Sequence, residues 1–190
     1  MGSKPFEIEN VSAIIISGSK DNLDFSRLDN PIQNPTYEYY PPKSGGEWPK
    51  NLEILQWAWP FVLYPMAFQL PSGNVFLFVS NKTVIINPKT DEIYNNVNDL
   101  IVANHFPFIY PYTPTMVMLP LTKENNYKAT LLLCGGSERD PSNGGPISSN
   151  KCFKVSPDGK SPVTWEKEDN MPIGRVMPDS VLLPGNNIKF

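Results

Sequence analysis

The sequence predicts an all-β protein. Its apolar segments are short, rich in β-branched and aromatic residues, and separated by turn residues. Proline accounts for 21 of 190 residues, and the prolines lie between the apolar runs as turn markers rather than in one tail. Similar units recur about every 50 residues, which is the repeat of a kelch-type β-propeller. We therefore expect an incomplete kelch-type propeller.

The first predicted strands lie near the start of the chain. Ala13 to Ile16 is a buried apolar run that ends at a Ser-Gly-Ser turn. Thr36 to Tyr40, which is stopped by two prolines, is predicted to be its partner. Residues 43–49, with two adjacent glycines, are predicted to form an exposed loop. The stretch from Leu52 to Trp59 is the one predicted short helix.

A regular meander follows. Tight turns at 71–74, 80–82 and 88–91 separate four apolar segments, a pattern typical of consecutive antiparallel strands. The predicted strands are Tyr64–Leu70, Val75–Val79, Thr83–Asn87 and a short outer strand Glu92–Tyr94.

The same unit then recurs with a long insertion at 137–150. Its predicted strands are Thr115–Pro120, Ala129–Cys134, Cys152–Val155 and an outer strand Val163–Glu166. A third copy is predicted to begin with the run from Arg175 to Gly185 and to stop at Phe190. A Leu-Pro pair closes an apolar strand in each copy, at positions 70–71, 119–120 and 183–184.

These units predict one partial propeller domain over residues 1–190. We expect a partial blade at 1–42, four-stranded blades at 60–96 and 108–168, and a truncated blade at 171–190. Because a single blade cannot bury both of its faces, apolar faces near Ile14 and Val181 should be exposed. Missing propeller blades or self-association would then supply the partner.

Charge and hydropathy exclude several classes of function. The net charge is −3 without a basic run, so the sequence predicts binding to neither nucleic acid nor an anionic membrane surface. It contains no apolar run of about 18 residues, the length of a membrane-spanning helix. The first residues also lack the pattern of a secretory signal peptide in the chain as given.

The two cysteines, Cys134 and Cys152, flank a loop rich in Gly, Ser, Pro and Asn. They are well placed to close that loop as a disulfide, which would indicate an oxidising compartment. The alternative is a pair of unpaired, buried thiols.

Several motifs, taken in order, resemble the glyoxal oxidase N-terminal domain, a galactose oxidase-like family. The resemblance runs from about Thr36 to Pro184 and is faint over residues 1–35. The motifs are Tyr37-Glu38-Tyr39-Tyr40-Pro41, Tyr64-Pro65, Leu70-Pro71-Ser72-Gly73-Asn74-Val75-Phe76, Tyr110-Pro111, Leu119-Pro120-Leu121, Cys134-Gly135-Gly136, Cys152 and Met171-Pro172 with Arg175-Val176-Met177.

The resemblance implies a secreted copper-radical oxidase with a kelch-type propeller. Such enzymes oxidise aldehydes or primary alcohols and reduce O2 to H2O2. Their copper is held by two tyrosines and two histidines, and one tyrosine is cross-linked to a cysteine through a thioether. The redox-active centre carries out the chemistry while the protein tunes it.

The family's ligands do not carry over to this chain. It contains one histidine, His105, and the resemblance assigns Cys134 and Cys152 to a loop disulfide. In the family the cross-linked pair precedes the strand matched by 13–18, and the remaining ligands follow the matched region. We therefore expect no catalytic, cofactor-binding or metal-binding residue, and no cofactor, in this chain; copper belongs to the complete family enzyme.

Two functions remain open. The first is a fragment of a glyoxal oxidase-like enzyme that is inactive on its own. The second is a non-catalytic, kelch-type interaction module, which rests on analogy with other propellers of that type. A hydrolase is not supported, because no nucleophile, general base and orienting acid can be assembled around the single histidine.

Several side chains that resemble functional residues are expected to have structural roles instead. His105 is expected to be a loop histidine rather than a metal ligand, and Tyr110 and Tyr112 to pack near the start of an inner strand. Arg175 is expected to form hydrogen bonds between blades. Trp57 and Trp59 are expected in the core or an interface.

Two sequons, at Asn10 and Asn81, are candidate glycosylation sites, and the second falls in a predicted turn where an acceptor should be exposed. Together with the possible disulfide they favour a secreted protein.

Overall fold

In the computed structural model, most of the described residues lie in strands and turns. The structure describes residues 13–18, 34–43, 49–59, 61–94, 97–103, 105–140, 142, 144–157, 162–184 and 187–189.

One short helix and a succession of short strands make up these parts of the chain. In order they are β1 (Ala13–Ile16), β2 (Thr36–Tyr40), β3 (Lys50–Asn51), α1 (Glu53–Trp57), β4 (Met66–Gln69), β5 (Val75–Val79), β6 (Lys82–Ile86), β7 (Ile93–Tyr94), β8 (Pro114–Met118), β9 (Leu131–Gly135), β10 (Cys152–Val155), β11 (Glu166–Glu168), β12 (Val181–Leu183) and β13 (Asn187–Lys189).

The strands form antiparallel sheets in which sequence neighbours pair. A first sheet has the order β1-β2-β3, and two four-stranded sheets follow with the orders β4-β5-β6-β7 and β8-β9-β10-β11. The pair β12-β13 forms a fourth sheet. The all-β prediction is confirmed, and the arrangement is consistent with a partial β-propeller. The division of residues 1–190 into four blades remains a prediction.

Several predicted strands differ from the structure by one or two residues at one or both ends, and two differences are larger. The outer strand expected at Val163–Glu166 instead runs over Glu166–Glu168. Val163 forms a parallel bridge with Val97, and Trp165 is buried, so pairing with β10 begins only at Glu166. In the third copy, Arg175 bridges to Ser149 and the strand is limited to Val181–Leu183.

The second sheet is buried on both faces, because two core clusters lie on opposite sides of β5. Val75, Leu77 and Val79 face the first cluster, which includes residues of β2 and α1. Phe76 and Phe78 face the second cluster, which includes Leu131 and Leu133 of β9. Since successive side chains of a strand point to opposite faces, this position accounts for the unbroken apolar run in β5.

Trp165 fills the space between the two four-stranded sheets. Its ring contacts Phe76 and Phe78 edge-on, with centroid distances of 6.3 and 5.4 Å. Aromatic pairs in this geometry contribute about 0.5–1.5 kcal/mol each beyond the area they bury. The two four-stranded sheets are therefore packed together through an aromatic cluster formed by Trp165, Phe76 and Phe78.

The first sheet is tied to the second by the carboxylate of Asp91, in the turn between β6 and β7. The Tyr39 hydroxyl donates to Oδ1 at 3.1 Å, Lys43 Nζ lies 2.6 Å from Oδ1, and Lys50 Nζ lies 3.0 Å from Oδ2. Lys43 also donates to the Pro88 carbonyl and lies 4.0 Å from the centre of the Tyr39 ring. Three residues of the first sheet region thus converge on one carboxylate.

These donors control the ionisation of Asp91. Burial opposes the charged form, but the hydrogen bonds from Lys43, Lys50 and Tyr39 outweigh it and lower the pKa of Asp91. Burial and the bond to Asp91 raise the pKa of Tyr39. Asp91 is therefore ionised and Tyr39 protonated at neutral pH.

In the described part of the chain, no helix has the length and apolar character needed to cross a bilayer.

We expect Asp91→Asn to lower the free energy of unfolding by about 1–2 kcal/mol at pH 7, the scale of charge-assisted hydrogen bonds discounted for partial exposure. Asn tolerates the left-handed backbone of this turn, where φ is 60°, so the substitution removes the charge without straining the backbone. Since the folded-state pKa lies below 3.8, the wild-type advantage should be present above that pH and be lost as the pH falls through the folded-state value. Urea unfolding at pH 7 and at pH 3 measures this.

The matched control is Asp169→Asn, at an exposed carboxylate, which should leave stability within about 0.5 kcal/mol. Equal stability of the Asp91→Asn variant and the wild type at pH 7 would contradict the role of the carboxylate.

Candidate functional site

The candidate site is built around the two cysteines, in the motif Cys134-Gly135-Gly136 and at Cys152. Cys134 on β9 and Cys152 on β10 lie directly opposite each other, with Cα atoms 4.2 Å apart, and they form a disulfide. Gly135 N–H donates to the Lys151 carbonyl, so the cysteines occupy a position without direct backbone bonds between them, where opposing side chains are closest. The predicted disulfide is confirmed, and the alternative of unpaired thiols is wrong.

The disulfide is shielded from solvent. Cys134 is 0% exposed and Cys152 is 3% exposed, and both pack against Met171. Because these are the only cysteines of the sequence, neither sulfur is available for another covalent bond.

Gly135 and Gly136, which follow Cys134, allow the backbone at Arg175 to lie close to the end of β9. Gly136 N–H donates to the Arg175 carbonyl at 2.9 Å, and Arg175 N–H donates to the Ser149 carbonyl at 2.9 Å. Gly135 has a φ of 91°, and a Cβ there would lie 2.7 Å from the Arg175 carbonyl oxygen. A side chain at Gly135 would therefore meet both backbone strain and a clash.

The insertion between the cysteines is folded against the end of the sheet. Glu138 N–H donates to the Ile147 carbonyl, and the Glu138 carboxylate lies 3.1 Å from Lys151 Nζ. Ser149 Oγ donates to the same carboxylate at 3.3 Å, and both Ser137 and Ser149 are fully buried. The disulfide thus closes the insertion at 137–150 into a lobe, and these contacts hold its two ends together.

His105 lies beneath this lobe. The centre of its ring lies 4.4 Å from that of the Phe108 ring. Its Cε1 atom lies 3.3 Å from the point that a Cβ at Gly136 would occupy. Nδ1 lies 2.6 Å from the Phe106 carbonyl, which assigns the proton to Nδ1 in the neutral ring. Nε2 is buried, and no described residue forms a hydrogen bond with it.

Burial is the main reason that the pKa of His105 is lowered, and it outweighs the raising effect of the hydrogen bond to the Phe106 carbonyl. The ring is therefore neutral at pH 7. The interpretation of His105 as a hydrogen-bonded loop histidine agrees with this packing.

This arrangement does not fit the copper ligand set implied by the resemblance. Both sulfurs are in the disulfide. In the single imidazole, that of His105, Nδ1 is hydrogen-bonded to the Phe106 carbonyl and Nε2 is buried. Among the described residues, no group of three or more His, Cys, Asp or Glu side chains converges as metal ligands do.

The tyrosines singled out from the sequence pack against other rings. Tyr110 lies 4.7 Å from the Tyr64 ring, and Tyr112 meets Phe106 edge-on at 6.5 Å. Their predicted packing role is consistent with these contacts.

The structure bears on two further predictions. Trp57 and Trp59, expected in the core or an interface, are 50% and 38% exposed and lie outside the core, because Leu52, Ile54 and Leu55 form the buried face of the helix region. Their place in an interface remains a prediction. The Arg175 side chain is exposed, and it is the backbone of Arg175 that forms hydrogen bonds between segments.

Asn81 lies in the β5–β6 turn, as predicted, but it is half-buried, since Leu100 N–H donates to its carbonyl and residues 100–102 and 105–108 line a small cavity with it. Its glycosylation remains a prediction, and Asn10 lies outside the described residues.

Comparison with known proteins places these features in a family. The sequence profile described as "Glyoxal oxidase N-terminus" matches residues 31–190. The chain is 32% identical over 160 residues to Aldehyde oxidase GLOX of Vitis pseudoreticulata, an alignment covering 80% of the chain and 28% of that protein. It is 29% identical over 136 residues to Aldehyde oxidase GLOX1 of Arabidopsis thaliana, covering 66% of the chain and 21% of that protein. The chain thus aligns with between a fifth and a third of the length of these relatives.

We expect Gly135→Ala to lower the free energy of unfolding by at least about 2 kcal/mol, since the left-handed backbone alone costs about 1–2 kcal/mol and the contact with Arg175 adds to it. Gly145→Ala is the matched control, because Gly145 has a similar φ of 84° and open space around its Cβ position. Its cost should be limited to the backbone contribution. Equal losses for the two variants in urea unfolding would show that the Arg175 approach imposes no constraint.

Proposed function

The chain belongs to the glyoxal oxidase N-terminus family, and on that premise we propose that it forms part of the propeller scaffold of a copper-radical aldehyde oxidase and has no catalytic activity alone. The complete enzyme would oxidise an aldehyde, with water, to the carboxylic acid while O2 is reduced to H2O2. A primary alcohol, oxidised to the aldehyde, is the other substrate of this class. The names of the relatives, both aldehyde oxidases, support this reaction class.

The Cys134–Cys152 disulfide is the observation that carries the proposal. A copper-radical site of this family needs a cysteine free to bond to a tyrosine ring, and the disulfide uses both sulfurs that the 190 residues contain. A second imidazole is also needed, and the sequence contains one histidine. These residues therefore serve as scaffold, and a complete site would require side chains that they do not include.

We also propose that the protein functions outside the cell. A buried structural disulfide forms and persists in an oxidising compartment. The candidate glycosylation site at Asn81 is a weaker argument, because that side chain is half-buried.

The prediction for the 190-residue chain is that copper neither binds stoichiometrically nor supports turnover. Copper(II) titration followed by electron paramagnetic resonance, together with H2O2 release on methylglyoxal, measures both. We expect the spectrum of loosely bound copper and no H2O2 above a buffer blank, with a full-length aldehyde oxidase as the positive control. Tight one-to-one copper binding with H2O2 release would contradict the proposal.

The second candidate function is a non-catalytic interaction module. The observation in its favour is the exposure of apolar side chains in and before β12, where Ile173, Met177 and Val181 are each more than half exposed. Where such side chains form one contiguous patch, they mark a surface that binds other proteins. Light scattering separates the two functions: we expect a module to form a discrete oligomer that melts cooperatively, and a scaffold portion to remain monomeric or to aggregate without defined size.

A further inference from the structure

A cleft of about 670 Å³ separates the connection after β7 from the outer edge of the third sheet, the one formed by β8 to β11. One wall consists of residues 97–101. The opposite wall consists of Phe153, Thr164, Trp165 and Lys167. Its volume lies within the range of small-molecule binding sites, about 300–1,000 Å³.

The first wall is held rigidly between two sheets. Asn98 N–H donates to the Val163 carbonyl and Leu100 N–H to the Asn81 carbonyl, both at 2.8 Å. Asp99 lies 3.0 Å from Lys82 Nζ at the start of β6. Because these bonds fix the wall before any ligand arrives, binding would not require ordering of the segment.

The cleft presents two kinds of surface to a ligand. Its polar groups are the Asn98 amide, whose nitrogen donates to Thr164 Oγ1 at 3.0 Å, and the Asp99 carboxylate, one oxygen of which is paired with Lys82. Its apolar surface is the half-buried Phe153 ring and the Ile101 side chain, which is 84% exposed. A pyranose ring combines an apolar face of C–H groups with hydroxyl groups around its edge, and this combination matches the two surfaces.

One positive charge in the cleft is not neutralised by another described side chain. Lys167 stands directly opposite Phe153 in the β10–β11 register, so the two side chains share a face. Neighbouring Glu166 and Glu168 pair instead with Lys154. The Lys167 ammonium is therefore available to a carboxylate on the ligand, and a single cation provides too little charge for a nucleic acid backbone.

We propose that this cleft binds a saccharide unit that carries a carboxylate. The sugar face packs on Phe153 and Ile101, its hydroxyl groups bond with Asn98 and Asp99, and its carboxylate pairs with Lys167. This binding lies at the outer edge of the sheets and is independent of copper.

The test is titration of the isotopically labelled 190-residue chain with a trimer of galacturonic acid, followed by amide chemical shifts. We expect shifts confined to residues 97–101, 153 and 164–167, and weaker binding of the neutral galactose trimer. Lys167→Gln should weaken binding of the acidic trimer by about tenfold, the effect of one charge-assisted hydrogen bond, and leave the neutral trimer unchanged. Ile101→Ser should weaken both.

The control is Lys128→Gln, which removes an exposed lysine from the turn between β8 and β9. It should bind both trimers as the wild type does, and all variants should keep the dispersed spectrum of the folded chain. The proposal is overturned if no shifts occur, if they lie elsewhere, if both trimers bind equally, or if Lys128→Gln weakens binding as much as Lys167→Gln.

Discussion

The structure depends on the burial of one sheet on both of its faces. In β5, Leu77 packs toward β2 and the helix, while Phe76 and Phe78 pack toward Trp165 and β9. Neither neighbouring sheet could bury its own apolar face without this shared layer, which is how repeated β units stabilise one another. The Asp91 carboxylate ties the first sheet to it, at the turn that follows β6.

A second constraint acts at the end of the third sheet. The Cys134–Cys152 disulfide, the left-handed Gly135 and the backbone of Arg175 together fix the lobe between the cysteines against the segment that leads to β12. His105 is neutral beneath it because burial disfavours its charged form. The residue types most often found in catalytic sites, here a cysteine pair and a lone histidine, are thus occupied in covalent closure and packing.

Much of the fold could be predicted from the sequence, because it depends on local pattern. The continuous apolar run of β5 and the turn at 71–74 specify a meander, and the spacing of the cysteines allowed their pairing. The position of Trp165 could not be predicted, since its burial depends on rings in a different sheet, and this shifted β11 beyond its expected start. Asp91 was also missed: its partners Lys43 and Lys50 are more than 40 residues away in the sequence, and nothing local marks the carboxylate. For the cleft between 97–101 and Lys167, the sequence offered no signal at all, since it forms only where two sheets meet.

The cysteines of this family member are structural, and we expect no tyrosine–cysteine cross-link within these residues. Mass spectrometry of proteolytic peptides, before and after treatment with a thiol reductant, tests this directly. We expect a peptide containing Cys134 joined to one containing Cys152, separating completely on reduction, with every tyrosine-containing peptide at its unmodified mass. A cysteine joined to a tyrosine peptide that resists reduction, two hydrogens lighter than the sum of its parts, would contradict the account.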